Sequence, residues 1–226
     1  MFSVRGVDHF YGERHVLRSV DVELTERRVA VVGANGSGKS TFARLLNGLL
    51  VPTSGDVTVD GLDTRKDSKQ VKRKVGFVFQ DPDLQIVMPT VAEDVAFGLK
   101  YRGLGKSEIA DRVTEVLAEF GLSGLRDHPS HQLSGGQKQT LAIASVLALA
   151  PQCVVFDEPT TMLDLRNKHQ ITRTVRNLSQ QVVVVSHDLE LLMDFDRMLV
   201  FDEGRIVADG SPGEAAGFYR DLMAEC

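Results

Sequence analysis

The sequence predicts an α/β fold: a mainly parallel core sheet, an antiparallel β subdomain beside it and a helical insertion. Three observations carry that expectation. Short apolar runs recur at Val29–Val32, Val75–Phe79, Cys153–Phe156 and Val182–Val185, which read as strands, the run at Cys153–Phe156 as a buried parallel one. Residues 1–32 and 56–60 alternate apolar and polar positions, as in Asp56-Val57-Thr58-Val59-Asp60, which reads as half-buried antiparallel strands. The stretch from about 90 to 150 is mainly helical and lies between the second and third runs, as an insertion in one domain spanning 1–226.

Val29–Val32 feeds directly into Gly33-Ala34-Asn35-Gly36-Ser37-Gly38-Lys39-Ser40-Thr41, which matches G-x-x-x-x-G-K-[ST], and Phe42 to Leu46 reads as the helix that follows. This strand–loop–helix order is what a phosphate-binding loop requires. Glycines let the backbone wrap an anion, and successive N–H groups at the helix N-terminus point at it. Lys39 brings a mobile positive charge to β- and γ-phosphates, and the Ser40 hydroxyl is a ligand for Mg²⁺.

Four further blocks extend the same site. Gln80 follows the run Val75–Phe79, where a carboxamide can contact both a metal ion and water. Leu133-Ser134-Gly135-Gly136-Gln137 precedes the apolar helix Leu141–Leu149, with Ser134 as N-cap and two glycines leaving backbone amides uncovered. That is a second cradle for an anion, which suggests a site completed by another subunit. Asp157 and Glu158 emerge at the end of Cys153–Phe156, at the strand ends where open α/β sheets bind ligands. Asp157 suits a hydrated Mg²⁺, and Glu158 is placed to orient or deprotonate an attacking water. His187 follows Val182–Val185, where a neutral imidazole can hydrogen-bond a γ-phosphate.

Between Thr90 and Ala150, Ile109, Val113, Val116, Leu117 and Phe120 form one apolar stripe, read as core packing. Ile86, Val87 and Met88 form an apolar run after a polar loop, read as part of an exposed groove for a partner's helix. The chain then ends in a hairpin, Met198–Phe201 with Arg205–Ala208, and one short helix from Ser211. The net charge of −5 does not favour a nucleic-acid surface. Cys153 sits in a buried strand and Cys226 is the last residue, so no structural disulfide is expected, which suits a reducing cytoplasm. Met1 to Phe10 has no basic-then-apolar leader, and no apolar run approaches 18 residues, so a membrane role is expected to come through partners.

Taken together, these blocks resemble the nucleotide-binding subunits of ABC transporters over essentially the whole chain. The resemblance implies an ATPase with ATP and Mg²⁺ as cofactors. It implies that Tyr11 stacks on adenine, and that Leu133 to Gln137 binds the γ-phosphate of ATP held by the opposite subunit. Leu163 and Asp164 match the loop that crosses a head-to-tail dimer of this chain with a second copy or a homologue. The segments Gln80–Gly98, Gly136–Gln139 and Thr161–Asp164 resemble the ATPases of energy-coupling factor (ECF) importers, which take up vitamins or transition-metal ions. The short C-terminus looks most like the ATPases of biotin uptake systems, with cobalt or nickel importers close behind. Such subunits sit at the cytoplasmic face of the membrane beside a transmembrane coupling subunit and a substrate-binding membrane subunit. Thr140 departs from the pattern, since many relatives carry Arg there. The alternative is a soluble ATPase of the same type acting on nucleic acid or ribosomes. It is disfavoured by the acidic balance and by the compact stretch between Gln80 and Leu133, which has no room for coiled-coil arms.

Overall fold

A computed structural model describes residues 1–161 and 163–224. In chain order the elements are β1 (Phe2–Tyr11), β2 (Arg14–Leu24), β3 (Arg28–Gly33), α1 (Lys39–Leu46), β4 (Ser54–Val59), β5 (Leu62–Asp63), α2 (Ser68–Lys74) and β6 (Val75–Val78). There follow α3 (Val91–Arg102), α4 (Lys106–Glu119), α5 (Gly135–Ala148), β7 (Cys153–Asp157), α6 (Leu165–Asn177), β8 (Gln181–Val185), α7 (Leu189–Leu192), β9 (Arg197–Asp202), β10 (Arg205–Gly210) and α8 (Pro212–Ala224).

These elements form two compact units. The first takes Met1–Phe77, Gln152–Glu158 and the chain from Asn177 onward. It holds a six-stranded sheet in the order β10-β9-β3-β8-β7-β6 and a four-stranded sheet in the order β2-β1-β4-β5. Strand β3 pairs parallel with both β8 and β9, and β7 pairs parallel with β8. The four-stranded sheet is antiparallel throughout. Its first two strands in chain order end by Leu24, so one part of the sequence expectation is corrected: residues 28–32 belong to the parallel sheet. The burial pattern gives the reason. Strands β1 and β2 keep exposed positions along their length, whereas β3 is buried at all but its first residue. Only a strand covered on both faces can be apolar without alternation.

Helix α1 buries Phe42, Leu45 and Leu46 in this unit, with the Phe42 ring 4.9 Å from that of Phe201 on β9. The terminal hairpin forms as expected, β9 pairing antiparallel with β10. The helix after it runs 13 residues, longer than the sequence suggested. Cys153 is a free, buried thiol, and burial pushes its pKa up. Cys226 lies outside the described residues.

The second unit comprises Val78–Pro151 and Pro159–Arg176. Helices α3, α4 and α5 form its body. Val113, Val116, Leu117 and Phe120 of the α4 stripe are buried and Ile109 is half-buried, as core packing requires. Among the described residues, no helix is long and apolar enough to cross a membrane.

Candidate functional site

In the first unit the chain turns sharply as it leaves β3. Gly33, Gly36 and Gly38 take φ of +150°, +83° and +104°, values open to glycine and costly for other residues. The turn ends at Gly38, the N-cap of α1, which offers no capping side chain to the helix amides. Those first N–H groups need an acceptor from elsewhere. Lys39 is buried, and its Nζ donates to the carbonyls of Gly33 and Ala34, both at 2.8 Å. Burial pulls the Lys39 pKa down, against the pull of Glu158 and Asp157. Among the described residues, the buried Ser37 hydroxyl has no hydrogen-bond partner. A loop of uncapped amides, a buried ammonium and an orphaned hydroxyl is built to take an anion.

The acidic end of β7 meets this loop. The Ser40 hydroxyl donates to Asp157 Oδ1 at 2.7 Å, and an Arg44 guanidinium nitrogen lies 3.9 Å from Asp157 Oδ2. Burial raises the Asp157 pKa, although the Ser40 bond and Arg44 oppose it. A carboxylate and a hydroxyl that meet beside a phosphate cradle fit Mg²⁺, which takes few protein oxygens and completes its shell with phosphates and water. Glu158 follows with φ +50°, a left-handed conformation rare for a side chain of its size. Its N–H donates to the Val185 carbonyl at 2.9 Å, which locks the turn to the end of β8. Its Oε2 lies 2.9 Å from Nδ1 of His187, which leaves the same strand end. Strain of about 1–3 kcal/mol, held by surrounding structure, typically marks a working residue. Tyr11, the last residue of β1, is 45% exposed with its ring edge-to-face against His9.

The remaining expected residues lie in the second unit. Ser134 caps α5, accepting from the Gln137 N–H at 3.3 Å, while Gln137 Oε1 accepts from the Ser134 N–H at 2.9 Å. This reciprocal box holds the start of the helix with Gly135 in open space. Gly136 packs so closely on Asn167 that a Cβ there would lie 2.3 Å from the amide carbon. Asn167 is itself held by Asp164, through its N–H at 2.8 Å and its Nδ2 at 3.0 Å. So Asp164 and the Ser134–Gln137 turn are linked through one asparagine that sequence reading did not single out. Thr140, in place of the arginine of many relatives, is buried and returns its hydroxyl to the Gly136 carbonyl at 2.8 Å. Leu163 is half-buried, and Met162 lies outside the described residues.

Gln80 is exposed and opens a loop that runs to Pro89. A second residue that sequence reading passed over, Asp94, organises that loop. It is buried, accepts from the N–H groups of Val87 and Met88 at 3.0 and 3.2 Å, and takes the Ser145 hydroxyl at 2.9 Å. Leu84 and Val87 are left 69% and 60% exposed, which core packing does not explain.

Comparison with known proteins agrees with this geometry. The family model for ABC transporters matches residues 17–161. The biotin transport ATP-binding protein BioM of Rhizobium etli is 49% identical over 95% of each chain. The ECF transporter ATP-binding protein EcfA1 of Caldanaerobacter subterraneus is 42% identical over 88% of this chain and 74% of its own. Among solved structures, cbiO1 from Clostridium perfringens, part of the ABC transporter complex cbiONQ, superposes with a TM-score of 0.84. It is 32% identical, over 99% of this chain and 93% of its own. The dimeric, post-hydrolysis ATP-binding cassette MJ0796 bound to ADP and Pi also reaches 0.84, at 29% identity over 94% and 99%. The chain belongs to the ATP-binding proteins of ABC transporters, ATPases of the ECF type whose hydrolysis of ATP is coupled to transport.

Proposed function

We propose that this ATPase powers a membrane importer whose cargo is a vitamin, biotin first. The choice of cargo is supported by the similarity to BioM. The reading of the site rests on one observation: Asp157 bonded to Ser40 of the loop, with Glu158 and His187 paired directly after it.

In the proposed reaction, adenine stacks on Tyr11 and the triphosphate lies in the Gly33 to Thr41 loop. Lys39 exchanges its two carbonyl partners for β- and γ-phosphate oxygens. Ser40 and Asp157 would hold Mg²⁺, which neutralises charge on the phosphates when bound. Ser134, Gly135, Gly136 and Gln137 of a second copy complete each site in a head-to-tail dimer, with Asp164 at the crossing. Glu158 orients the water and accepts its proton as the oxygen attacks the γ-phosphorus and the bond to ADP breaks. His187 hydrogen-bonds the γ-phosphate and holds Glu158 in place. The exposed Leu84 and Val87 are the proposed seat of a transmembrane coupling subunit, which keeps the chain at the cytoplasmic membrane face beside a substrate-binding membrane subunit.

Purification of the whole complex from membranes, with identification of its subunits, tests the partners. Uptake of labelled biotin, cobalt and nickel by the reconstituted complex tests the cargo. ATP-dependent biotin uptake is expected, and uptake of a metal ion alone would replace the vitamin. Val87→Asp should disrupt assembly while the purified chain stays folded and binds ATP.

A further inference from the structure

We propose that Arg14 is a further nucleotide-binding residue, gripping the phosphate chain of ATP from the hairpin that carries Tyr11. Tyr11 and Arg14 are Cα partners across the β1–β2 turn, so one short turn delivers both side chains. Arg14 Nη2 lies 3.7 Å from where a Cβ on Gly36 would sit, and apart from Gly36 and its two chain neighbours no other atom of the described residues comes within 4 Å of that point. The guanidinium thus stands over the open side of the phosphate loop at Gly36. Arg14 is exposed, and among the described residues its guanidinium makes no hydrogen bond and no ion pair. Other arginines of the same unit are committed: Arg5 to Glu23, Arg197 to Glu26 and Asp209. An unpaired guanidinium at a loop built for an anion has its donors free for phosphate oxygens, which its planar fork matches better than an ammonium does. Lys39 approaches the loop from its buried side and Arg14 from its open side, so the two cations would hold different oxygens of one phosphate chain.

The proposal rests on the reading of Gly33 to Thr41 as the phosphate site, and the test separates the two. The purified full chain is titrated calorimetrically in EDTA, so that no turnover occurs, with ATP and with inorganic tripolyphosphate, which has no base. Arg14→Ala should weaken both ligands about tenfold, the size of a charge-assisted contact at a partly solvated site. Arg14→Lys should fall between. Tyr11→Ala should weaken ATP and leave tripolyphosphate unchanged. Arg14 is exposed and its guanidinium holds no partner that the fold relies on, so the melting temperature should move little. Equal tripolyphosphate affinity in the wild type and Arg14→Ala overturns the proposal, as does a loss confined to ATP, which would place Arg14 at the base. Lys39→Ala is the control. If it keeps full tripolyphosphate affinity, the phosphate-site reading itself fails, and the assignment of Arg14 falls with it.

Discussion

Glu158 concentrates the chemistry of the first unit in one residue. It is buried, its backbone is left-handed, and its carboxylate is paired with His187. Burial and the left-handed backbone each cost stability, the His187 contact offsets part of that cost, and together they aim one basic oxygen at a fixed point beside the phosphate loop. Glu158→Gln keeps the shape and a hydrogen bond to the ring but removes the base. Hydrolysis in a single-turnover assay should slow by about 10²–10⁴-fold, the range for a positioned general base, or roughly 3–5 kcal/mol of barrier. ATP affinity should change little, and ATP should trap the variant as a stable dimer in light scattering. Near-normal turnover would remove Glu158 from the role of base.

At the scale of elements, the phosphate loop is propped by a hairpin that makes no chemical contribution of its own. The Gly204 N–H, in the β9–β10 turn, donates to the Ser37 carbonyl at 3.0 Å, and its carbonyl accepts from the Arg18 N–H on β2 at 2.9 Å. Gly204 has φ +82°, and a Cβ there would lie 2.4 Å from the Val16 carbonyl oxygen. One turn therefore ties the loop to β2 through backbone that tolerates no side chain. Gly204→Ala should destabilise the chain by about 2 kcal/mol or more, through strain and forced displacement. It should also weaken ATP binding although residue 204 never meets the nucleotide. Denaturant unfolding and calorimetry on the same sample check both, and an unchanged affinity in a destabilised chain would show that the loop does not need this prop.

At the scale of the whole molecule, the proposed site needs two copies. Ser134 starts α5 with its side chain on the Gln137 amide and Gly135 open beside it, so this turn has room for a ligand. Ser134→Arg fills that space. Monomer affinity for ATP should stay within about twofold of wild type, because removing no contact of the monomer's own pocket changes no binding energy there. ATP-driven dimerisation should be lost. Calorimetry gives the first quantity and light scattering with Glu158→Gln in the background gives the second. Collapse of monomer affinity would place Ser134 in its own chain's pocket.

The sequence by itself determined the parallel strands and the motifs at their ends, because doubly covered strands must be continuously apolar and loops that wrap phosphate need glycine at set spacings. Val29–Val32 with Gly33–Thr41, and Cys153–Phe156 with Asp157 and Glu158, were legible for that reason. The antiparallel reading of residues 1–32 overran at 28–32, where a continuously apolar strand lies next to β1 and β2 in sequence but pairs in the other sheet. The supporting contacts were not legible at all. Asp94 with Ser145, Asn167 against Gly136, Gly204 under Ser37 and Arg14 over Gly36 each join residues distant in sequence. No local pattern encodes such pairs. Only tertiary structure decides them, because which side chain meets which backbone depends on where packing places the elements, and one hydrogen bond leaves no periodicity behind it.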